Sequence, residues 1–224
     1  MNTLTSLAKA ALCALASSAC LVGASHAAID AGSVIKLNWT EQFGAQAAGN
    51  GMYVGSVVSG PGAGESFLSF CLEHGETFNI GAKMFVKDVT EITSSRDVLD
   101  SRTAWLFTQF SNGVDGYRVT DSSTNLSMQN AIWYLEQEFG INKLSRDAQA
   151  SAWVQAATDA VESGQWTGLG NVRVINLYKN AAYTQDAQDQ LYMLPTTPVP
   201  EPESYAMLLA GLGIVGAMAR RRRA

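Results

Sequence analysis

The chain has 224 residues, 47% hydrophobic and 16% charged, with 15 basic against 20 acidic side chains. Between Ala28 and Val199 the imbalance is ten basic against eighteen acidic residues, a net of −8 without any basic cluster, which argues against nucleic acid as a partner. No repeat of fixed period is visible, which disfavours a solenoid or propeller.

The opening residues MNTLTSLAK are polar with one positive charge at Lys9, and Ala10 to Ala24 is an unbroken run of apolar and small residues. That is the pattern of a secretory n-region and h-region. Ser25 and Ala27 supply the small residues a signal peptidase reads, so residues 1–27 are set aside as a signal peptide and the mature chain is expected to begin at Ala28. Anchoring as a lipoprotein at Cys20 fits less well, because Ser17-Ser18-Ala19 lacks the leucine-like residue three positions earlier.

Strands are then expected near 33–39, 52–58, 66–73 and 84–92, from their β-branched and apolar content. A helical block follows. Val98 to Gly113 reads as one helix. Ile132, Leu135 and Phe139 give the next an apolar face, with Gly140 as its stop. In the alanine-rich third, Ser145 is the expected N-cap and Gly164 the terminator. Strands return near 172–178 and 190–194. The order predicts one α+β domain over 28–194, with antiparallel β layers, sandwich or barrel-like, flanking the helices rather than a doubly wound sheet. Its roughly 170 residues are enough to bury a core.

Four of the five prolines fall between Pro195 and Pro202, marking a linker over 195–204. Tyr205 to Ala219 is apolar but short of the ~20 residues of a membrane span, and Arg220, Arg221, Arg222 and Arg223 follow. Those arginines would stay cytoplasmic. Pro200-Glu201-Pro202, an apolar helix and a terminal arginine cluster together resemble the PEP-CTERM sorting signal of Gram-negative bacteria. The resemblance implies transient contact with the inner membrane and recognition there by an exosortase, a membrane transpeptidase. It also implies C-terminal processing and delivery to the cell surface or the extracellular matrix.

Cys13 and Cys20 lie in the signal peptide, which leaves Cys71 alone in the mature chain and rules out an internal disulfide. An unpaired cysteine in an exported protein points to a reactive thiol, intermolecular pairing or another covalent fate. The plain alternative is a buried thiol acting as a small hydrophobe. A cysteine hydrolase would pair Cys71 with His74, the one histidine left after signal removal, but an extended segment turns positions 71 and 74 to opposite sides. Zinc finds too few soft ligands, and no metal or cofactor is expected.

Phe70-Cys71-Leu72, followed after more than fifty residues by Gln129, Ala131, Ile132 and Trp133, resembles the paired signature of bacterial surface thioester domains. In that family a strand cysteine and a glutamine opening an Ala-Ile-Trp helix cross-link their side chains, which here implies a bond between Cys71 and Gln129. The chemistry is consistent with the residue types. A thiolate held against a side-chain amide attacks its carbonyl carbon and expels ammonia, and pre-positioning is worth effective molarities of about 10⁵ M or more. Gln129 near a helix N-terminus would set its oxyanion beside free backbone N–H groups. Trp133, one turn on, would shield the bond or simply pack in the core. His74, with Glu73 or Glu76, would activate an incoming nucleophile or else form a solvated turn. The stored electrophile would couple once, without turnover, to an amine or hydroxyl on an extracellular polymer or surface. That makes the protein an adhesin rather than an enzyme. The rival reading is a non-covalent biofilm matrix protein in which Cys71 is merely buried.

Overall fold

The computed structural model describes residues 28–40 and 51–196, together with the isolated positions Gly211 and Arg221. The expected signal peptide, Pro200-Glu201-Pro202 and nearly all of the 205–224 tail lie outside the described residues.

Six strands form one antiparallel sheet: β1 (Val34–Trp39), β2 (Tyr53–Ser59), β3 (Ser66–Ser69), β4 (Met84–Thr90), β5 (Val172–Tyr178) and β6 (Asp186–Met193), in the order β3-β2-β1-β4-β5-β6. Between β4 and β5 come four helices: α1 (Ser101–Ser111), α2 (Ser122–Leu135), the short α3 (Ile141–Leu144) and α4 (Ala148–Glu162). The fold is therefore α+β with an antiparallel sheet and a central helical block.

Local chemistry sets the helix limits. Asp100 accepts from the Arg102 N–H to start α1, and Asp121 forms a reciprocal capping box with Thr124 at the head of α2. The expected cap at Ser145 is replaced by Asp147, whose carboxylate accepts from the Ala150 N–H. Asp147 also takes the Ser127 hydroxyl at 2.9 Å and the Asn130 amide at 3.0 Å, so one cap ties α4 to α2. Helix α2 stops at Leu135, earlier than Gly140 suggests, because Gln137 already adopts a positive φ of 64°.

Two apolar clusters flank the sheet. One joins Phe70, Leu72, Val172, Val174 and Leu191 to the inner faces of α1, α2 and α4, including Leu106, Phe107, Met128, Ile132 and Trp153. The other fills the opposite face with Ile35, Leu37, Tyr53, Val57, Met84, Val86, Ile175, Leu177 and Tyr192, and it contains Cys71 and Trp133. Alternation along β1, with Ile35 and Leu37 fully buried, follows the two-residue period of a strand.

The edges of the sheet touch. Beyond β3 the chain continues across to β6, where Leu191 N–H donates to the Phe70 carbonyl at 3.1 Å and Leu72 N–H to the Asp189 carbonyl at 3.2 Å. Cys71 and Gln190 form the antiparallel bridge between them. This closure sends Phe70 and Leu72 toward the helices and Cys71 into the second cluster.

Candidate functional site around Cys71

Cys71 is a free thiol, 2% exposed, at the junction of the two sheet edges. Helix α2 supplies a stripe of polar side chains at four-residue spacing that dock on strand main chain. Asn125 accepts the Met52 N–H at 2.7 Å. A side chain at Gly51 would collide with the Asn125 amide, so the glycine is what lets the helix come this near.

One turn later Gln129, fully buried, grips Cys71 at two points. Its Oε1 accepts the Cys71 N–H at 3.0 Å and its Nε2 donates to the Cys71 carbonyl at 2.7 Å. The amide thus completes the pairing of a residue at the end of a strand. Gln129 does not sit at a helix N-terminus as the sequence suggests. Asp121 caps α2 two turns upstream, so the free first-turn N–H groups lie far from the glutamine amide.

The thiol itself meets a different amide. Gln190 Nε2, on β6, lies 3.3 Å from Cys71 Sγ, and Gln190 is fully buried. Its Oε1 accepts the Ser69 hydroxyl at 3.0 Å. Burial pushes the Cys71 thiol up to about 12, against hydrogen bonds from Gln190 and Tyr53 that pull it down and the Glu73 charge that raises it further. The resting group at neutral pH is therefore the neutral thiol. Tyr53 is raised too, chiefly by burial and then by Cys71.

Cys71 opens on a cavity of about 280 Å³ walled by Trp39, Tyr53, His74, Glu76 and Trp133. His74 also lines this cavity. Its ring stands edge-on to Trp133 with centroids 4.7 Å apart, and its Nε2 lies 3.1 Å from Lys143 Nζ. Lys143 in turn sits 4.4 Å above the Phe139 ring. The main-chain N–H of His74 donates to Glu138.

Below the mouth three carboxyls crowd together. Glu73 is 5% exposed with neither oxygen hydrogen-bonded, while its carbonyl accepts from the Gln188 amide. Glu76 is pushed up to about 8, mainly by burial and then by the nearby Glu73 charge. Burial likewise raises Asp189 to about 7, against the Ser94 N–H that stabilises its charge. Trp133 is 3% exposed and its indole N–H has no partner. Among the described residues no group of three or more His, Cys, Asp or Glu is arranged to hold a metal ion.

The structure thus brings Cys71, Gln129, Trp133, His74 and Glu73 into one neighbourhood. Sequence reasoning passed over Gln190, Ser69 and Gln188. The available signal was the run Gln188-Asp189-Gln190, polar residues in a strand buried along nearly its whole length. Such positions need partners inside the protein.

A family model, the PEP-CTERM protein-sorting motif, matches residues 198–223. No curated protein and no solved structure matches the chain. Among the described residues no helix is long and apolar enough to cross a membrane. The sequence over 198–223 is therefore a PEP-CTERM sorting signal, and the chain that bears it is an exported protein whose sorting partner is an exosortase.

Proposed function

We propose that this exported domain forms an internal thioester between Cys71 and a glutamine, and uses it once to attach covalently to an amine or hydroxyl on an extracellular polymer or surface. One observation carries the reading: the single thiol of the mature chain lies 3.3 Å from the Gln190 amide nitrogen while Gln129 clamps its main chain. The carbon to be attacked is bonded to that nitrogen. Gln190 is therefore assigned as the acyl donor, and Gln129, the donor implied by the sequence resemblance, as the group that fixes Cys71. A thiol held neutral by burial favours a route in which its proton passes to the departing nitrogen. The cavity gives an incoming nucleophile access, and Trp39, Tyr53 and Trp133 limit water there. His74 on its wall is the base offered to such a nucleophile, while Glu76, pushed up to about 8, holds its proton at neutral pH.

The same burial also supports a second reading, a non-covalent matrix protein in which Cys71 packs as a small hydrophobe. Intact mass of the mature protein, purified at mildly acidic pH beside Cys71→Ala, separates the two. The thioester requires a deficit of one ammonia in the wild type alone, mapped to a peptide joining residues 71 and 190. A full mass with one titratable thiol after denaturation leaves the matrix protein.

A further inference from the structure

Forming a thioester from an amide needs a donor for the oxygen that becomes an oxyanion, and Gln190, on β6, takes none from helix N–H groups of its own because it is not on a helix. Gln190 Oε1 has one side-chain hydroxyl against it, that of Ser69 at 3.0 Å. Ser69 is fully buried, so water does not compete for the contact. Its single proton has two other acceptors, the Leu191 carbonyl at 2.7 Å and the Phe70 carbonyl at 3.3 Å.

We propose that Ser69 is a catalytic residue of the Cys71–Gln190 reaction, its hydroxyl donating to Gln190 Oε1 as negative charge develops there. The inference rests on the thioester reading above. In the resting amide the hydroxyl chooses among three neutral carbonyls, of which that of Leu191 is nearest. When Cys71 Sγ bonds to the Gln190 amide carbon, the carbonyl electron pair moves onto Oε1, and a charge-assisted hydrogen bond draws the proton from Leu191 to Oε1. The contact is thus stronger in the transition state than in the ground state, which is the condition for acceleration. Collapse restores the carbonyl, breaks the C–N bond and releases ammonia carrying the former thiol proton. Opening by an external nucleophile passes through an oxyanion on the same carbon. The acyl group stays on residue 190, and Cys71 leaves as a thiol with the nucleophile's proton.

The position of Ser69 follows from the fold. It is the last residue of β3, where the strand crosses to β6, and it spans the gap to Gln190 and Leu191. The segment that positions the sulfur thereby also brings the donor.

The test uses the mature protein after opening with ammonium chloride, which restores the Gln190 amide and the Cys71 thiol. Ammonia is removed and the return of the mass deficit is timed. Ser69→Ala should slow it by about 100-fold, the usual cost of one lost oxyanion donor. Opening of the preformed thioester by methylamine should slow by a similar factor, and Ser69→Thr should recover most of both rates. Melting curves confirm that the variants compared are folded. Wild-type rates in a folded Ser69→Ala overturn the role, as does slow closure with unchanged methylamine opening, which marks Ser69 as merely aligning the strands. If the wild type never loses ammonia, it is the thioester reading that falls, and the Ser69 role with it.

Discussion

The two faces of the sheet are built from different materials. The helix-facing cluster is made of apolar side chains, with Phe70, Leu106, Phe107 and Ile132 packed among α1, α2 and α4 and polar groups such as Asn125 and Thr103 at its margin. The opposite cluster is equally buried yet admits a thiol, with the Gln190 amide against its sulfur, the Gln129 amide on its main chain and the crowded carboxyls of Glu73 and Asp189 nearby. Burying polar groups costs free energy that apolar packing does not. The polar face therefore depends on the apolar one for its stability, and the strand segment 70–72, which alternates between the two, couples them.

Phe107→Ala tests the apolar side with the largest expected effect. Phe107 is 1% exposed and stacks on Phe110 at 5.9 Å. Its truncation should cost about 3–5 kcal/mol in denaturant unfolding, with no change in the mass deficit of the molecules that still fold. Loss of the cross-link in folded Phe107→Ala would mean the two faces are not separable.

Gln129→Ala crosses the divide. It strips partners from a buried N–H and a buried carbonyl of Cys71, a cost of about 1–3 kcal/mol for each group left unsatisfied. On the proposed assignment of the acyl group to residue 190, thioester formation should slow but persist, whereas Gln190→Ala should abolish it. Complete loss in a folded Gln129→Ala, with normal formation in Gln190→Ala, would reverse the assignment of the two glutamines.

Much of the apolar face was legible in the sequence because periodicity reports it. The strand read at 172–178 matches β5, and Val98–Gly113 brackets α1. Asp147 displaced Ser145 as a cap because its carboxylate serves α2 as well, a tertiary demand that local pattern does not carry. The site was half legible for a related reason. Cys71 stood out as the one cysteine beyond the expected signal peptide, and Gln129 through its Ala-Ile-Trp context. Gln190 comes near only when strands 119 residues apart in sequence meet edge to edge, and no local signal encodes that register.

The smallest expected effect is a dependence of stability on pH. Glu76, on the cavity wall, and Glu136, at the end of α2, are both raised mainly by burial, to about 8 and about 7. Each ionises at the ordinary carboxylate range, about 4.3, once unfolded. Between that value and its folded one, the folded state holds a proton that the unfolded state has lost. Stability therefore falls as pH rises through the window, and is greatest below it. Melting temperature should decline from pH 5 to pH 8. Glu76→Gln should flatten the decline over the whole interval, most visibly above pH 7, and Glu136→Gln the part below pH 7, because each removes one titration. The decline is independent of the cross-link, so it should persist in Cys71→Ala. A melting temperature that rises over the interval would mean the two carboxyls are stabilised as anions, and the polar face would then be held by charge pairing rather than tolerated by the packing opposite it.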